Sequence, residues 1–362
     1  WVPSGVCPAG CSGWWRPRGL RVLGAPEESD TPLAALGELG AAVGDPGLVA
    51  DFLSQALRAY KAFLDKVVEA TEEADAHWSR VQGGVGLLRL CALPRLLHLF
   101  RSLSPEATAA FAEEADVATL SAYERILGAK LTTLPQQTQT ALPTREGGCG
   151  ILRFRGLRAQ AWLSSWLATI REVRTLGGPG VASQAEVTTA EAGWAASLRA
   201  ATAELAAEGV HLDSAGGVTE EKPAESWAWE DGAPALEKRQ RHFSRRRAAA
   251  ARVRLLATVT PAARARLRSC GGAGAGAWLL AAPTSRATRL TDSEFRVCAR
   301  LRLRVPLGWR FRAAICRNRS SGARGEEAST GGECKKPLDY DGFHALVCLV
   351  GGLVLRRHHS LR

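Results

Sequence analysis

Between Gly47 and Ala76 the apolar side chains Leu48, Phe52, Ala56, Tyr60, Phe63 and Val67 recur three or four residues apart. That interval places them on one face of a helix, and Asp45-Pro46 supplies a start signal. Trp78 to Arg101 gives a second helical stretch, interrupted at Gly83-Gly84 and at Pro94, which breaks or kinks it at Leu93. Pro105 to Lys130 gives a third, with Ser104 as N-cap and Pro105 at the first position. A fourth runs from Gly156 to Leu176, with Leu157, Trp162, Trp166, Ile170 and Val173 on one buried side. Between the third and fourth, Gly147-Gly148-Cys149-Gly150 reads as a tight turn. It lacks the Lys-Ser/Thr ending and preceding strand of a phosphate-binding loop. A chain with this many helical faces is expected to be mainly α, with residues 47–176 forming a helical bundle and His98 packed within it.

The flanks differ. Residues 1–46 form an irregular edge in which Arg21–Pro26 is a candidate strand, and Cys7 with Cys11 lacks the two further ligands a metal needs. Residues 177–234 read as a linker that carries one Ala-rich helix at 189–208. Charge then changes sign: residues 1–231 hold 20 Lys/Arg against 28 Asp/Glu, and residues 232–362 hold 27 against 8. The second part therefore stands at +19, the first at −8, so attraction for a polyanion is concentrated after residue 231.

Within the basic helical region 235–312, eleven Lys/Arg and one Glu fall between Glu237 and Arg268. Arg245, Arg246 and Arg247 are the densest point, followed by Arg252 and Arg254. Charge is expected around most of this helix, without the broad apolar face a membrane surface requires, so RNA or DNA phosphates are the fitting partner. A solvated basic helix arising from GC-rich codons is the plainer alternative. Residues 238–247 also fit a nuclear-localisation signal. Thr291 followed by Glu294 makes a capping box that fixes a further helix start.

Residues 313–362 contain Cys316, Cys334, His344 and Cys348, three thiols and an imidazole of the kind that binds tetrahedral zinc. His344-x3-Cys348 suits one ion, whereas seventeen residues separate Cys316 from Cys334. Closing that loop costs an added ~1 kcal/mol of entropy. Four unrelated residues are the other reading. The nine cysteines show no framework spacing and no leader precedes them, which points to an intracellular, reduced setting. The run Ala345–Leu355 is too short to span a bilayer.

The string Leu338-Asp339-x-x-Gly342-x-His344-Ala345-Leu346-x-Cys348, then Gly351-Gly352 and Arg357-His358, resembles the segment after the reverse transcriptase in non-LTR retrotransposon polyproteins. Leu87-Leu88-Arg89-x-Cys91-x-x-Pro94-Arg95-Leu96 and Leu142-Pro143 through Gly150-Ile151-Leu152 resemble that family's thumb and connection. Gly276-Ala277-Trp278-Leu279 resembles a strand of the family, and Arg302-Leu303-Arg304-Val305-Pro306-Leu307 its approach to the knuckle. Departures occur at Phe343, where Asp is common, at His359, where Asn is expected, and in the spread of the two leading cysteines.

The resemblance implies that residues 1–46 include the end of a palm and 47–176 a thumb and connection. It also implies a Cys-Cys-His-Cys knuckle that holds zinc, and it adds Arg356, Arg357 and His358 to the nucleic-acid-binding set. No Tyr-x-Asp-Asp tetrapeptide occurs in the chain, and it stops before the endonuclease carboxylates. The expectation is thus a non-catalytic fragment that retains nucleic-acid binding, nuclear if expressed, with no small-molecule substrate. A helical protein-interaction module and a decayed relic stay open beside it.

Overall fold

The computed structural model describes residues 21–22, 35–38, 41–72, 79–175, 193–212, 218–219, 239–307, 315 and 334–337. These are mainly helical. Three short strands, Arg21–Val22 (β1), Ala35–Glu38 (β2) and Ala41–Gly44 (β3), pair antiparallel in that order, with Leu36 opposite Val43. His211–Leu212 (β4) pairs antiparallel with Val218–Thr219 (β5).

Helix α1 spans Pro46–Glu72, and its start is the expected one. The Asp45 carboxylate accepts the backbone N–H groups of Gly47 at 2.9 Å and Leu48 at 3.1 Å, relieving two of the donors a helix start leaves without partners. The buried face is displaced from the one read in the sequence. Val49, Leu53, Leu57, Tyr60, Leu64, Val67 and Val68 are buried, while Leu48, Phe52, Ala56 and Phe63 sit half-buried on its shoulder. Both rows are apolar, and periodicity alone does not tell the centre of a wide stripe from its edge.

Arg80–Leu87 (α2) continues through a π-helical turn at Leu88–Ala92 and a short Leu93–Arg95 stretch into Leu97–Ser102 (α3). Pro94 is the cause. It has no N–H for the Leu90 carbonyl, and the Leu93 N–H reaches back five residues to the Leu88 carbonyl. The whole stretch Arg80–Ser102 is long and apolar enough, by length and composition, to cross a membrane. Its Val81, Val85, Leu88, Leu99 and Phe100 are nevertheless buried in the shared core, at 1% exposure or less.

Ala109–Leu127 (α4) starts later than expected, because residues 105–108 form a turn rather than helix. Ser104 caps that turn, its hydroxyl accepting the Ala107 N–H at 3.3 Å. His98 is exposed rather than packed. Leu134–Ala141 (α5) opens on a Thr133/Gln136 capping box. The Gly147–Gly150 segment is the tight turn expected, with φ of +92° at Gly147 and +72° at Gly150. Then follow Arg158–Thr175 (α6), Gly193–Ala207 (α7), Arg239–Thr258 (α8), Pro261–Ser269 (α9), Ala277–Leu280 (α10) and Asp292–Leu303 (α11). Leu157, Trp162 and Trp166 are buried as expected; the side chains of Ile170 and Val173 lie outside the described ones.

Residues 276–279 form the start of helix α10, not the strand that the resemblance implied. Among the described residues no ladder partner lies alongside. The buried Gln82 amide donates to the carbonyls of Ala281 at 3.0 Å and Thr288 at 2.9 Å and accepts the Leu290 N–H at 3.0 Å. One side chain thus satisfies the backbone that a sheet would otherwise serve.

The basic region is distinct in composition but not in packing. Leu279, Phe295, Ala299, Leu303 and Val305 belong to the same core cluster as α1, α2 and α4. Trp278 meets Phe295 edge-on at 5.3 Å, and Phe154 stacks on Phe100 at 5.4 Å at the other end of that core. Helix α8 is anchored apart from that core: Phe243 is fully buried, and Leu255 packs with Leu142 and Leu267 in a smaller cluster.

Candidate nucleic-acid interface

Helix α8 presents Phe243, Ala248 and Leu255 inward, each under 10% exposed. Arg241, Arg245 and Arg246 are exposed on the side away from the bundle. Arg247, Arg254 and Arg252 are turned to partners within the fold. Arg247 folds across Gly156, where any side chain would collide with it, and donates through Nε to the Glu208 carboxylate. Arg254, although exposed, donates to the Glu208 backbone carbonyl at 2.8 Å. Arg252 lies 3.6 Å from the Glu146 carboxylate. Charge therefore does not project evenly around α8, as the sequence suggested; it divides into an outward set and a set held by acids and carbonyls.

Further along, Arg266, Arg296, Arg300 and Arg302 serve the fold, while Arg268 and Arg286 are exposed. Arg302 is 5% exposed and has no carboxylate partner among the described residues. It donates to the carbonyls of Gly148 (3.1 Å), Ala275 (3.0 Å), Thr144 (2.9 Å) and Cys270 (2.8 Å). One guanidinium thus ties the Gly-rich turn, the segment after α9 and helix α11 together. Arg266 donates to the Arg302 carbonyl and to Gln139 Oε1, and burial pushes its pKa down. Arg296 and Arg300 donate to the Ile126 and Leu127 carbonyls at 3.0 and 2.9 Å, at the negative end of α4.

These structural arginines were missed in the sequence, although a signal existed. Phe295, Ala299, Arg302 and Leu303 follow helical spacing, so Arg302 falls on the core face of α11.

Beneath α8 lies a groove of about 560 Å³ between α5, residues 152–157 and α8. Leu134, Leu142, Leu152, Leu157, Ala251 and Leu255 line it, with Arg153, Arg247 and Arg254 also on its walls. Leu134 is 69% exposed at its mouth.

Cys334 is the sole expected zinc ligand among the described residues; Cys316, His344 and Cys348 lie outside them, as do Arg356, Arg357 and His358. Among the described residues, no group of three or more His, Cys, Asp or Glu could hold a metal. One observation bears on the long Cys316–Cys334 loop. Ile315 pairs antiparallel with Pro337, so the chain just before Cys316 lies beside the chain just after Cys334. Lys335 follows Cys334 in a left-handed conformation, φ +50°, as at a tight turn. Closure of the loop at its base is compatible with thiols from both ends reaching one ion.

The chain matches no family model, no curated protein and no solved structure.

Proposed function

We propose that residues 235–362 bind RNA or DNA through phosphates, within a non-catalytic piece of a non-LTR-retrotransposon-type polyprotein that acts in the nucleus. The observation that carries the proposal is the outward side of α8. There Arg241, Arg245 and Arg246 stand exposed on a helix whose opposite side is anchored in the bundle. Guanidinium groups held at fixed spacing lose little freedom on meeting a phosphate backbone, and their binding releases counterions. The +19 balance of residues 232–362 adds long-range attraction.

Zinc belongs to the proposal as a staple. Cys316, Cys334, His344 and Cys348 would hold it, and a metal held by such donors contributes folding free energy to its segment. The loop closed at Ile315–Pro337 supports that donor set.

The test is fluorescence anisotropy of a labelled duplex and a labelled RNA hairpin with the full chain, at several salt concentrations. Binding should weaken steeply with salt, with a slope of about −0.9 per phosphate contact on duplex DNA. Salt-independent binding, or none below about 100 µM at low salt, overturns the proposal.

A second reading is favoured by the apolar groove beneath α8. A helical interaction module would seat a partner there, and in that case polyanion binding would be absent while the groove stayed intact.

A further inference from the structure

Helix α7 ends beside the inward arginines of α8, and the details of that end are specific. Leu198, Ala201 and Leu205 are buried, so the helix body is anchored rather than loosely apposed. Gly209 turns the chain in a left-handed conformation, φ +82°, and the Val210 N–H returns to the Leu205 carbonyl at 2.9 Å. This turn leaves the Glu208 carbonyl and carboxylate both facing α8. The carboxylate takes Arg247 and the carbonyl takes Arg254.

A helix C-terminus carries partial negative charge. Joined to a carboxylate, it offers α8 what one phosphate of a nucleic-acid backbone would offer: several oxygen acceptors and net negative charge. The pair is not sealed from solvent, since Arg247 is 25% and Glu208 26% exposed. Glu204, one turn earlier, serves differently. It binds Arg158 at 2.9 Å, and Arg158 also donates to the Pro105 carbonyl at 2.6 Å and the Arg155 carbonyl at 3.2 Å. Arg158 is 16% exposed and belongs to the bundle.

We infer that the C-terminal end of α7 is an internal stand-in for phosphate: Glu208 occupies Arg247 and Arg254, and nucleic acid gains these two contacts only by displacing it. The inference rests on the phosphate-binding reading above and adds a restraint to it. Bound nucleic acid engages the outward arginines first and the inward pair second, so the resting protein binds more weakly than its arginine content allows.

The experiment uses the full chain, with fluorescence anisotropy on a labelled DNA duplex across a salt series. Glu208→Ala should raise affinity about tenfold at low salt, the order expected for freeing a charge-assisted donor. It should also steepen the salt slope by about one, at roughly 0.9 per added phosphate contact, since Arg254 keeps the backbone carbonyl of residue 208. Glu208→Gln, which keeps a carbonyl acceptor, should give a smaller gain. Adding Arg247→Ala to Glu208→Ala should remove most of the gain. Glu204→Gln loses the same charge without freeing an α8 arginine and should change affinity less than twofold.

Thermal melts of each variant establish that it is folded. Should Glu208→Ala prove unstable, Glu208→Gln carries the test, with a gain that Arg247→Ala again removes. A wild-type chain that binds with steep salt dependence, and Glu208 variants that bind identically to it, would overturn the inference and leave the phosphate reading standing. An equal gain from Glu204→Gln, or a gain that survives Arg247→Ala, would reduce the effect to net charge and likewise overturn it. No binding by any variant overturns both.

Discussion

Arg245 on α8 and Arg302 on α11 come from the same basic half of the chain, yet their surroundings are opposite. Arg245 is exposed on the outer side of its helix, whereas Arg302 is enclosed by four backbone carbonyls from two segments. The difference shows that net charge overstates what a partner can meet. Arg302, Arg266, Arg296 and Arg300 contribute to the +19 balance, but their donors are directed at carbonyls within the fold. The exposed arginines, Arg241, Arg245 and Arg246 of α8 among them, are the ones a partner can meet.

Substituting Arg302 breaks this contrast most severely. Arg302→Leu leaves four carbonyls without their donor inside the protein, so about 3–5 kcal/mol of stability should be lost. Urea denaturation followed by circular dichroism measures it. A loss under about 1 kcal/mol would mean that the enclosed guanidinium contributes no more than an ordinary surface side chain.

An uncharged inward group calibrates the same measurement. Tyr60 is 2% exposed and shares a 2.8 Å hydrogen bond with Thr119, and burial pushes its pKa up to about 12. An unfolded tyrosine titrates near 10, so the folded state holds its proton longer. The sign follows: the tyrosine's contribution is complete below pH 10 and is lost as pH rises toward 12, because only the unfolded form gains from ionisation in that window. Over those two units the difference in unfolding free energy between the native chain and Tyr60→Phe should fall by about 2–3 kcal/mol. Paired urea titrations at pH 9, 10 and 11 check the trend, and a constant difference would contradict it.

The outward set should show the converse behaviour. Arg245→Ala with Arg246→Ala should leave the urea midpoint nearly unchanged, within about 0.5 kcal/mol in stability. The same pair should weaken nucleic-acid binding about tenfold and reduce the salt slope by about 2. Equal weakening on unrelated sequences would agree with phosphate contacts; selective weakening on one sequence would indicate base readout instead.

Much of the fold was legible where a local rule decides the outcome. Asp45-Pro46, the Thr291/Glu294 capping box and the Gly147–Gly150 turn each need only a few neighbouring residues, and each is present. Ser104 failed as a helix cap because the same hydroxyl geometry serves a simple turn, and the helix starts at Ala109. The strand at 276–279 failed because its carbonyls are taken elsewhere: the Leu279 and Ala281 N–H groups return to Gly276 and Ala277, and Arg89, far away in sequence, donates to Leu279 at 3.1 Å. Of the candidate site, the concentration of arginine was legible but its division was not. Whether Arg247 faces outward depends on Glu208, and no local pattern around residue 247 records that carboxylate. The Cys316, His344 and Cys348 positions lie beyond the described residues, so the thiol-imidazole set still rests on its spacing and on the Ile315–Pro337 pairing.

The π turn at Leu88–Ala92 has a consequence for insertion and deletion along this chain. It holds one residue more than an α-helical path would, so α2 and α3 are out of phase by about 100°, the rotation of a single residue. Both are in contact with one core because of that slip. Removing Leu90, which is 75% exposed and touches little of the core, would let the turn relax toward regular helix. Because the turn absorbs that one residue, the same deletion would leave Phe100 facing Phe111 and Phe154. The π turn is therefore where this stretch can lose a residue and keep its packing, whereas a deletion within Leu97–Ser102 would rotate everything after it by about 100°.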